Sequence, residues 1–167
     1  MESSEGSRAR IFWPVVVVVV LSDIVTKGIA EAELYPRGVP REVFGDLVRL
    51  TLVYNRGAAF GLHLGPYSRW IFLALTIGAL VILWQLYRAT PVRDVARTLA
   101  IALVSGGAIG NLIDRVRGPM GVVDFLDLGV GDVRWPTFNV ADMAVSTGAI
   151  LLAWVLWGED RTGRAGA

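Results

Sequence analysis

The sequence predicts an all-α membrane fold of four transmembrane helices, with a small extracytoplasmic β-sheet and loop subdomain. Two observations support this class. Of the 167 residues, 54% are hydrophobic and 19% are charged, and the mean hydropathy of +0.54 is high for a soluble protein. The apolar residues also fall into four long blocks separated by polar connections, as the spans of a multi-pass protein do. We therefore predict a single polytopic membrane domain over residues 1–167.

Each apolar block is long enough to cross the hydrocarbon core of a bilayer as a helix. The first block resembles the start of a signal peptide, but Asp23 and Lys27 make the segment before any small-residue cleavage site too long and too charged. We therefore predict a retained helix. The third block contains Gly106 and Gly110 at a spacing typical of closely packed helices. The predicted spans are about 11–30, 70–87, 95–114 and 138–157.

The two longer connections are expected to lie outside the membrane. Residues 31–66 form an insertion in which alternating apolar residues from Val48 to Tyr54 predict a half-buried strand. A small sheet lying on the membrane is the simplest arrangement of this insertion. The strand leads into Asn55, which either bonds a substrate carbonyl or closes a turn. We predict that the second connection, 115–137, is a polar loop with turns at its glycines and prolines.

Four antiparallel spans bring the polar residues near four helix ends to one side of the membrane. Arginines beside the helix ends on the other side, including Arg8, Arg88 and Arg97, predict that the other side is cytoplasmic. Both termini are therefore expected in the cytoplasm, with the polar cluster at the extracytoplasmic face. This cluster comprises Asp23, Lys27, Asn55, Asn111, Asp114, Asp124, Asn139 and Asp142.

Asp124 and Asp142 are the acids best suited to chemistry. Asp142 is predicted about one turn inside the fourth helix, on the same face as Asn139, and Asp124 precedes that helix on the same surface. A single acid at a helix start can simply complement the helix dipole. Two carboxyl groups within a few ångströms cannot both ionise, so one holds a proton near neutral pH. The ionised group can take a proton from water while its partner polarises a scissile carbonyl, so we predict an aspartic dyad.

The remaining polar residues have plainer interpretations. Asp114 and Arg115 are expected to form a helix-end ion pair that orders the loop after it. Asp23 and Lys27 are four residues apart and are expected to neutralise each other on the first helix. An amide inside a span needs hydrogen-bond partners, so Asn111 is predicted to hold substrate backbone or the dyad.

Composition excludes several other kinds of site. The chain has no cysteine and a single histidine, His63, which excludes thiolate catalysis, zinc–thiolate sites and two-histidine metal motifs. It also has no basic run interleaved with aromatic residues, so no nucleic-acid partner is expected. We expect no metal and no cofactor.

Three other functions fit part of the pattern. A proton-coupled transporter would use the same acids as a relay, but it would also need polar residues at the midplane and on the other side. A Ser/Lys peptidase would pair Lys27 with Ser22, Ser68 or Ser105. A non-enzymatic membrane scaffold would not depend on Asp142.

Five short motifs resemble those of the bacterial lipoprotein signal peptidase (signal peptidase II) family, over nearly the whole chain. Each motif is weak alone, but five in this order and spacing on four spans are specific. The motifs are Asp23–Lys27, Asn55–Phe60, Gly110–Arg115, Val122–Phe125 and Phe138–Asp142. The resemblance implies an intramembrane aspartic endopeptidase of the bacterial plasma membrane. Such an enzyme would remove the signal peptide from diacylglyceryl-modified prolipoproteins by cutting before the lipidated cysteine.

The resemblance also implies roles for individual residues and partners. Asp124 and Asp142 would be the catalytic pair. Contacts with substrate or inhibitor would come from Asn55, Gly57, Asn111, Arg115 and Asn139, and the supporting residues would be Asp23, Lys27 and Asp114. The implied partners are a lipidated prolipoprotein, membrane lipid and globomycin-type cyclic peptide inhibitors.

Overall fold

The structure is a computed structural model. It describes residues 2–57 and 65–165, with side chains over 8–57 and 65–158. Its four α-helices are α1 (Glu2–Glu33), α2 (Ser68–Ala89), α3 (Val95–Arg117) and α4 (Val140–Ala165). All four are long and apolar enough to cross a membrane, over Arg8–Glu33, Gly65–Ala89, Val95–Arg117 and Val140–Gly158. The predicted fold class of four membrane-spanning helices with a small sheet is confirmed.

The helices differ from the predicted spans mainly at their ends. All four extend beyond the predicted C-terminal limits, and α4 begins at Val140 rather than at 138. The later start has a local cause. Phe138 pairs with Leu126 as a strand residue would, and the side chain of Asn139 then caps the helix.

The helix α3 lies at the centre of the bundle and packs against α1, α2 and α4. Its apolar window is 50% buried, against 17% for the windows of the other three helices. Ile101 and Ala102 of α3 join Phe12 and Val16 of α1 and Leu83 of α2 in one apolar cluster. The outer helices leave most of their apolar surface exposed, which suits contact with lipid.

Small residues allow α3 to approach its neighbours closely. A Cβ atom added at Gly106 would lie 2.9 Å from Cβ of Val19 in α1. A Cβ atom at Gly107 would overlap the carbonyl oxygen of Ala141 in α4. These contacts agree with the predicted close packing of the glycine-rich face.

Replacing Gly107 with Ala is expected to destabilise the protein by about 1–3 kcal/mol, because the new methyl group would overlap the Ala141 carbonyl. The matched control is Gly78→Ala on α2, where an added Cβ atom has nothing within 4 Å. Alanine there should stabilise the helix by up to about 1 kcal/mol. Thermal unfolding of the two variants in detergent measures both effects. Equal midpoints would contradict the proposed packing of α3 on α4.

A four-stranded antiparallel sheet, ordered β1-β2-β3-β4, lies at one end of the bundle. Its strands are β1 (Arg41–Phe44), β2 (Val48–Asn55), β3 (Val122–Val130) and β4 (Val133–Arg134). The strand predicted over 48–54 is confirmed. The prediction of a polar loop over 115–137 is wrong, because α3 continues to Arg117 and β3 and β4 follow. Residues 122–125 of β3 are all buried, so this strand lacks the alternation that identifies a half-buried strand.

The sheet is attached to the bundle through the end of α1. Ala30 and Leu34 of α1 pack with Leu52 of β2 and with Val123 and Phe125 of β3 in a second apolar cluster. This packing explains why α1 continues beyond its predicted end. It also packs β3 against the end of α1.

Candidate active site

A cavity of about 530 Å³ lies between the sheet, α3 and the start of α4. Its volume is in the usual range for ligand-binding pockets. The charged and amide side chains that line it are Asn55, Asn111, Arg115, Asp124 and Asp142. The other walls are formed by Val122, by residues 135–138 and by the α4 residues Met143, Val145, Ser146 and Thr147. Residues that are far apart in the sequence therefore meet in one partly apolar cavity.

Asp124 lies on β3 opposite Val53 of β2, and it is 2% exposed. Its Oδ1 atom accepts a hydrogen bond of 2.7 Å from Nδ2 of Asn139, and the side chain of Asn55 also hydrogen-bonds to it. Burial is the main cause that raises the pKa of Asp124 to about 7, and the negative charge of Asp142 adds to the rise. The hydrogen bonds from the two asparagines oppose it. Asp124 can therefore hold a proton near neutral pH.

Asp142 lies in the first turn of α4, nearer the helix start than predicted. Its backbone N–H donates to Oδ1 of Asn139 at 2.9 Å, and the backbone N–H of Asn139 donates to Oδ2 of Asp142 at 3.3 Å. This reciprocal arrangement is a capping box, which satisfies backbone donors at the helix start. The other oxygen, Oδ1, accepts a bond of 2.7 Å from Nδ2 of Asn111. Both oxygens of Asp142 thus accept N–H bonds, as suits a carboxylate.

Asn139 connects the two acids. Its side chain is completely buried, and its Nδ2 atom donates both to Asp124 and, at 3.1 Å, to Oδ1 of Asn111. Asn111 in turn donates to Asp142. The two acids come from a strand and a helix, yet they share one hydrogen-bonded network and one cavity.

Lys27 lies at the centre of a buried charge cluster next to this network. Its Nζ atom lies 2.7 Å from Oδ2 of Asp23, 2.8 Å from Oδ2 of Asp114 and 3.0 Å from Oδ1 of Asn111. The predicted pair of Asp23 and Lys27 is therefore present, although the lysine also contacts Asp114 and Asn111 of α3. The predicted ion pair between Asp114 and Arg115 is wrong for the part of the chain that the structure describes. Asp114 pairs with Lys27 instead because both side chains point into the bundle.

The acids of this cluster also hold the backbone around the site. Asp114 Oδ2 accepts a hydrogen bond of 3.2 Å from the backbone N–H of Val123 in β3. Asp23 Oδ1 accepts one of 2.9 Å from the backbone N–H of Ala141 in α4. A Cβ atom at Gly110 would lie 2.5 Å from Oδ2 of Asp23, so only glycine leaves room for this carboxylate. One buried cluster thus ties both acid-bearing elements to α1 and α3.

The charge of Lys27 also decides which way the amide of Asn111 faces. An ammonium group has three donors and no lone pair, so the oxygen of Asn111 must face it. The NH₂ group of Asn111 then faces Asp142, to which it donates. Lys27 therefore acts on Asp142 through one intervening amide.

Asn55, Gly57 and Arg115 make a third set of contacts at the cavity. Oδ1 of Asn55 accepts a bond of 3.0 Å from the backbone N–H of Gly57, as in the predicted turn. Arg115 donates from Nη2 to the Gly57 carbonyl at 3.3 Å and from Nη1 to the Asn111 carbonyl at 3.1 Å. The rest of the predicted motif, residues 58–60, and His63 lie outside the described residues.

Two charged residues near the site, Asp127 and Arg134, belong to none of the predicted motifs. They form an ion pair across the hairpin of β3 and β4, with Nε of Arg134 lying 2.5 Å from Oδ1 of Asp127. The feature that identifies them is structural, because the β3–β4 hairpin places their side chains together. Among residues 8–57 and 65–158, whose side chains the structure describes, no group of three or more histidines and acids could hold a metal ion.

Four spans, with two acids that share one hydrogen-bonded network at one end of the bundle, define a multi-pass membrane protein equipped for acid–base chemistry. The sequence profile described as Signal peptidase (SPase) II matches residues 15–158. The chain belongs to the signal peptidase II family, and it is a membrane-embedded aspartic endopeptidase of that family. The resemblance inferred from the five motifs is confirmed.

Similar proteins agree in sequence and in fold. The lipoprotein signal peptidases of Burkholderia thailandensis and Burkholderia mallei are each 42% identical over 158 residues, which cover 92% of this chain and 92% of each relative. The lipoprotein signal peptidase of Paraburkholderia phymatum is 43% identical over 142 residues, covering 84% and 83%. Two solved structures of bacterial membrane enzymes are 34% identical, with TM-scores of 0.75 and 0.70. The match to the first structure covers 87% of this chain and 87% of that chain. The match to the second covers 85% of this chain and 89% of that chain.

The contacts of Lys27 argue against a Ser/Lys peptidase. Its three donors are directed to Asp23, Asp114 and Asn111. The serines considered as nucleophiles lie elsewhere. Ser22 is exposed, and Ser68 and Ser105 are buried in the bundle and do not line the cavity within the described part of the chain.

Proposed function

We propose that this protein removes the signal peptide from diacylglyceryl-modified prolipoproteins, cutting the bond before the lipidated cysteine, with Asp124 and Asp142 as catalytic pair. The observation that carries the proposal is the hydrogen-bonded network in which Asn139 and Asn111 join these two acids at one cavity. The names of the similar proteins, lipoprotein signal peptidases, support the substrate class.

The unequal surroundings of the two carboxyl groups support a division of roles. Asp124 is buried on a strand, and burial keeps its proton near neutral pH. Asp142 receives N–H donors from Asn111 and from the backbone of Asn139 at a helix start, which stabilise negative charge. Asp124 is therefore the acid and Asp142 the base.

The reaction follows from these roles. Asp142 takes a proton from a water molecule as the water oxygen attacks the scissile carbonyl carbon, and protonated Asp124 hydrogen-bonds to the carbonyl oxygen. The tetrahedral intermediate then breaks its C–N bond. The leaving nitrogen receives the proton that Asp142 took from water, so the products are a carboxylic acid and a free amine. Both aspartates return to their starting protonation states.

The lipid anchor of the substrate supports a site at the membrane surface. Drawing an acyl chain out of the bilayer costs about 0.8 kcal/mol per CH₂ group, so the lipidated cysteine stays at the interface. The cavity lies where the spanning segments of α3 and α4 end, and Phe138, Met143 and Val145 give it apolar walls. Membrane lipid thus positions the scissile bond, and the protein supplies the acid and the base.

We also propose an orientation in the bacterial plasma membrane. Arg88, Arg93 and Arg97 lie around the connection between α2 and α3, at the end of the bundle opposite the cavity. Short arginine-rich connections favour the cytoplasm, so both termini would be cytoplasmic and the cavity extracytoplasmic. Globomycin-type cyclic peptides would inhibit the enzyme by occupying the cavity in place of substrate.

The pH dependence of cleavage tests the proposed roles. Activity should fall as the pH rises above about 7, because Asp124 then loses the proton it needs as the acid. The measurement is kcat/KM for signal-peptide release from a diacylglyceryl-modified precursor in detergent, between about pH 5 and 9. Activity that is constant or rising between about pH 7 and 9 would contradict the assignment of Asp124.

A further inference from the structure

The segment that joins β3 to α4 lies between the two acids in the sequence, and backbone hydrogen bonds close it. Leu126 and Phe138 exchange backbone hydrogen bonds of 2.8 and 3.0 Å, and the backbone N–H of Phe125 donates to the Phe138 carbonyl at 3.0 Å. Together these bonds form a joint between the end of β3 and the start of α4. Asp124 lies just before this joint in the sequence, and Asn139, whose side chain caps α4, lies just after it. A shift at the joint therefore moves one acid relative to the other.

A largely buried ion pair closes the loop that starts and ends at this joint. Arg134 Nε lies 2.5 Å from Oδ1 of Asp127, and Nη2 donates to the Asp127 carbonyl at 3.0 Å. The second carboxylate oxygen of Asp127 accepts a bond of 3.0 Å from Thr51 of β2. Nη1 of Arg134 donates to the carbonyl of Asp46 at 2.9 Å. The side chains of Asp127 and Arg134 are only 9% and 18% exposed. The planar guanidinium group of Arg134 is therefore held in one geometry by its several hydrogen bonds.

The same ion pair supports one wall of the cavity. Directly after Arg134, the backbone N–H of Trp135 donates to the Leu128 carbonyl at 2.7 Å, and residues 135–138 line the cavity. Neither Asp127 nor Arg134 is among the described residues that line it. The pair can therefore affect the reaction only through the segment that it closes.

We propose that Asp127 and Arg134 are positioning residues that set the separation of Asp124 and Asp142 by closing the loop between β3 and α4. This role rests on the proposed catalytic function of the two acids. Without the pair, the loop loses the contacts of Asp127 with Thr51 of β2 and of Arg134 with Asp46 in the β1–β2 turn, and the bond from the Gly131 backbone N–H to the Asp46 side chain is the side-chain contact with that turn that remains among the described residues. The attachment of the sheet to α1 through Leu34 does not depend on it. The acids then sample a wider range of separations, which lowers kcat because proton transfer needs fixed geometry.

The test compares Asp127→Asn, Arg134→Gln and the double variant. Asp127→Asn leaves Arg134 with only the more distant carboxylate of Asp46, at 3.4 Å, and Arg134→Gln leaves the buried Asp127 without its cation. Each single variant should therefore lower the unfolding midpoint, whereas the double variant removes both charges and should recover much of that loss. A purely structural role predicts that activity recovers with stability. A positioning role predicts that kcat for a diacylglyceryl-modified precursor stays about tenfold or more below wild type in the double variant.

The control is Glu42→Gln, because Glu42 pairs loosely with Arg49 on the same sheet, at 3.8 Å, and is 62% exposed. Its kcat should stay within about twofold of wild type. A double variant with wild-type kcat would overturn the positioning role, and so would losses of kcat that match the unfolded fraction. Asp124→Asn and Asp142→Asn are measured in parallel. If Asp124→Asn and Asp142→Asn both keep more than about a tenth of wild-type activity, the catalytic pair itself is refuted. A strongly impaired Asp124→Asn beside a fully active double variant refutes only the positioning role.

Discussion

Replacing Asp124 with Asn is expected to lower the rate of signal-peptide release by about 10²–10⁴-fold, the usual contribution of a positioned acid or base. Asp142→Asn should cause a similar loss. The double variant should lose little more, because groups that act as one unit have non-additive effects. Asparagine keeps the size of aspartate and one acceptor oxygen, so the contacts with Asn139 and Asn111 can persist. The measurement is cleavage of a diacylglyceryl-modified precursor in detergent by equal amounts of folded protein.

Asp132→Asn is the matched control for these variants. Asp132 is exposed on the turn between β3 and β4, so its replacement removes the same charge without touching the cavity. It should cleave at the wild-type rate. If Asp124→Asn and Asp142→Asn both keep more than about a tenth of wild-type activity, a catalytic dyad is ruled out.

Replacing Lys27 with Met is expected to destabilise the protein by about 3–5 kcal/mol, because it leaves two buried carboxylates without their cation. Asp23 is completely buried, and Asp114 is 13% exposed at its side chain. The folded fraction should still cleave at a reduced rate, since Lys27 reaches Asp142 only through Asn111. Unfolding in detergent and cleavage by the remaining folded protein measure the two effects separately.

A second substitution tests the charge argument. Adding Asp23→Asn to Lys27→Met removes one unpaired carboxylate and should recover at least about 1 kcal/mol of the lost stability. Arg88→Met is the control, because Arg88 is exposed at the other end of the bundle. It should change stability by no more than about 0.5 kcal/mol. A Lys27→Met protein as stable as wild type would refute the stabilising role of the charge cluster. A folded but wholly inactive Lys27→Met protein would favour the Ser/Lys peptidase, in which Lys27 is the general base.

The spans were predictable because the bilayer imposes a strong and simple rule. A segment that crosses it must be apolar over a length set by the membrane, and 70–87 and 95–114 meet that rule without ambiguity. The strand β2 was predictable because apolar and polar residues alternate from Val48 to Tyr54, which is typical of a strand. Its burial could not be read from that alternation, since the adjacent residues Thr51 and Leu52 are both buried in the fold.

The strand β3 could not be found in this way. Val122, Val123, Asp124 and Phe125 are all buried, because the end of α1 covers one face of the strand and the cavity residues cover the other. A short apolar run between turn residues has no period of two, so periodicity alone does not identify it as a strand. The prediction of Asp124 as a site residue rested on its charge and its place beside the fourth span, and its position on a strand became visible only in the fold.

Length and hydropathy along the chain were sufficient to predict four spans. The alternating direction of those spans then predicted that the acids lie at one end of the bundle. Folding decided which partners those acids take. Asp114 pairs with Lys27 of another helix rather than with its neighbour Arg115, and Asp127 pairs with Arg134 across a hairpin. A buried charge needs a partner and several hydrogen bonds at short range, and it takes them from whatever side chains surround it in space. Distance along the chain carries little information about that environment.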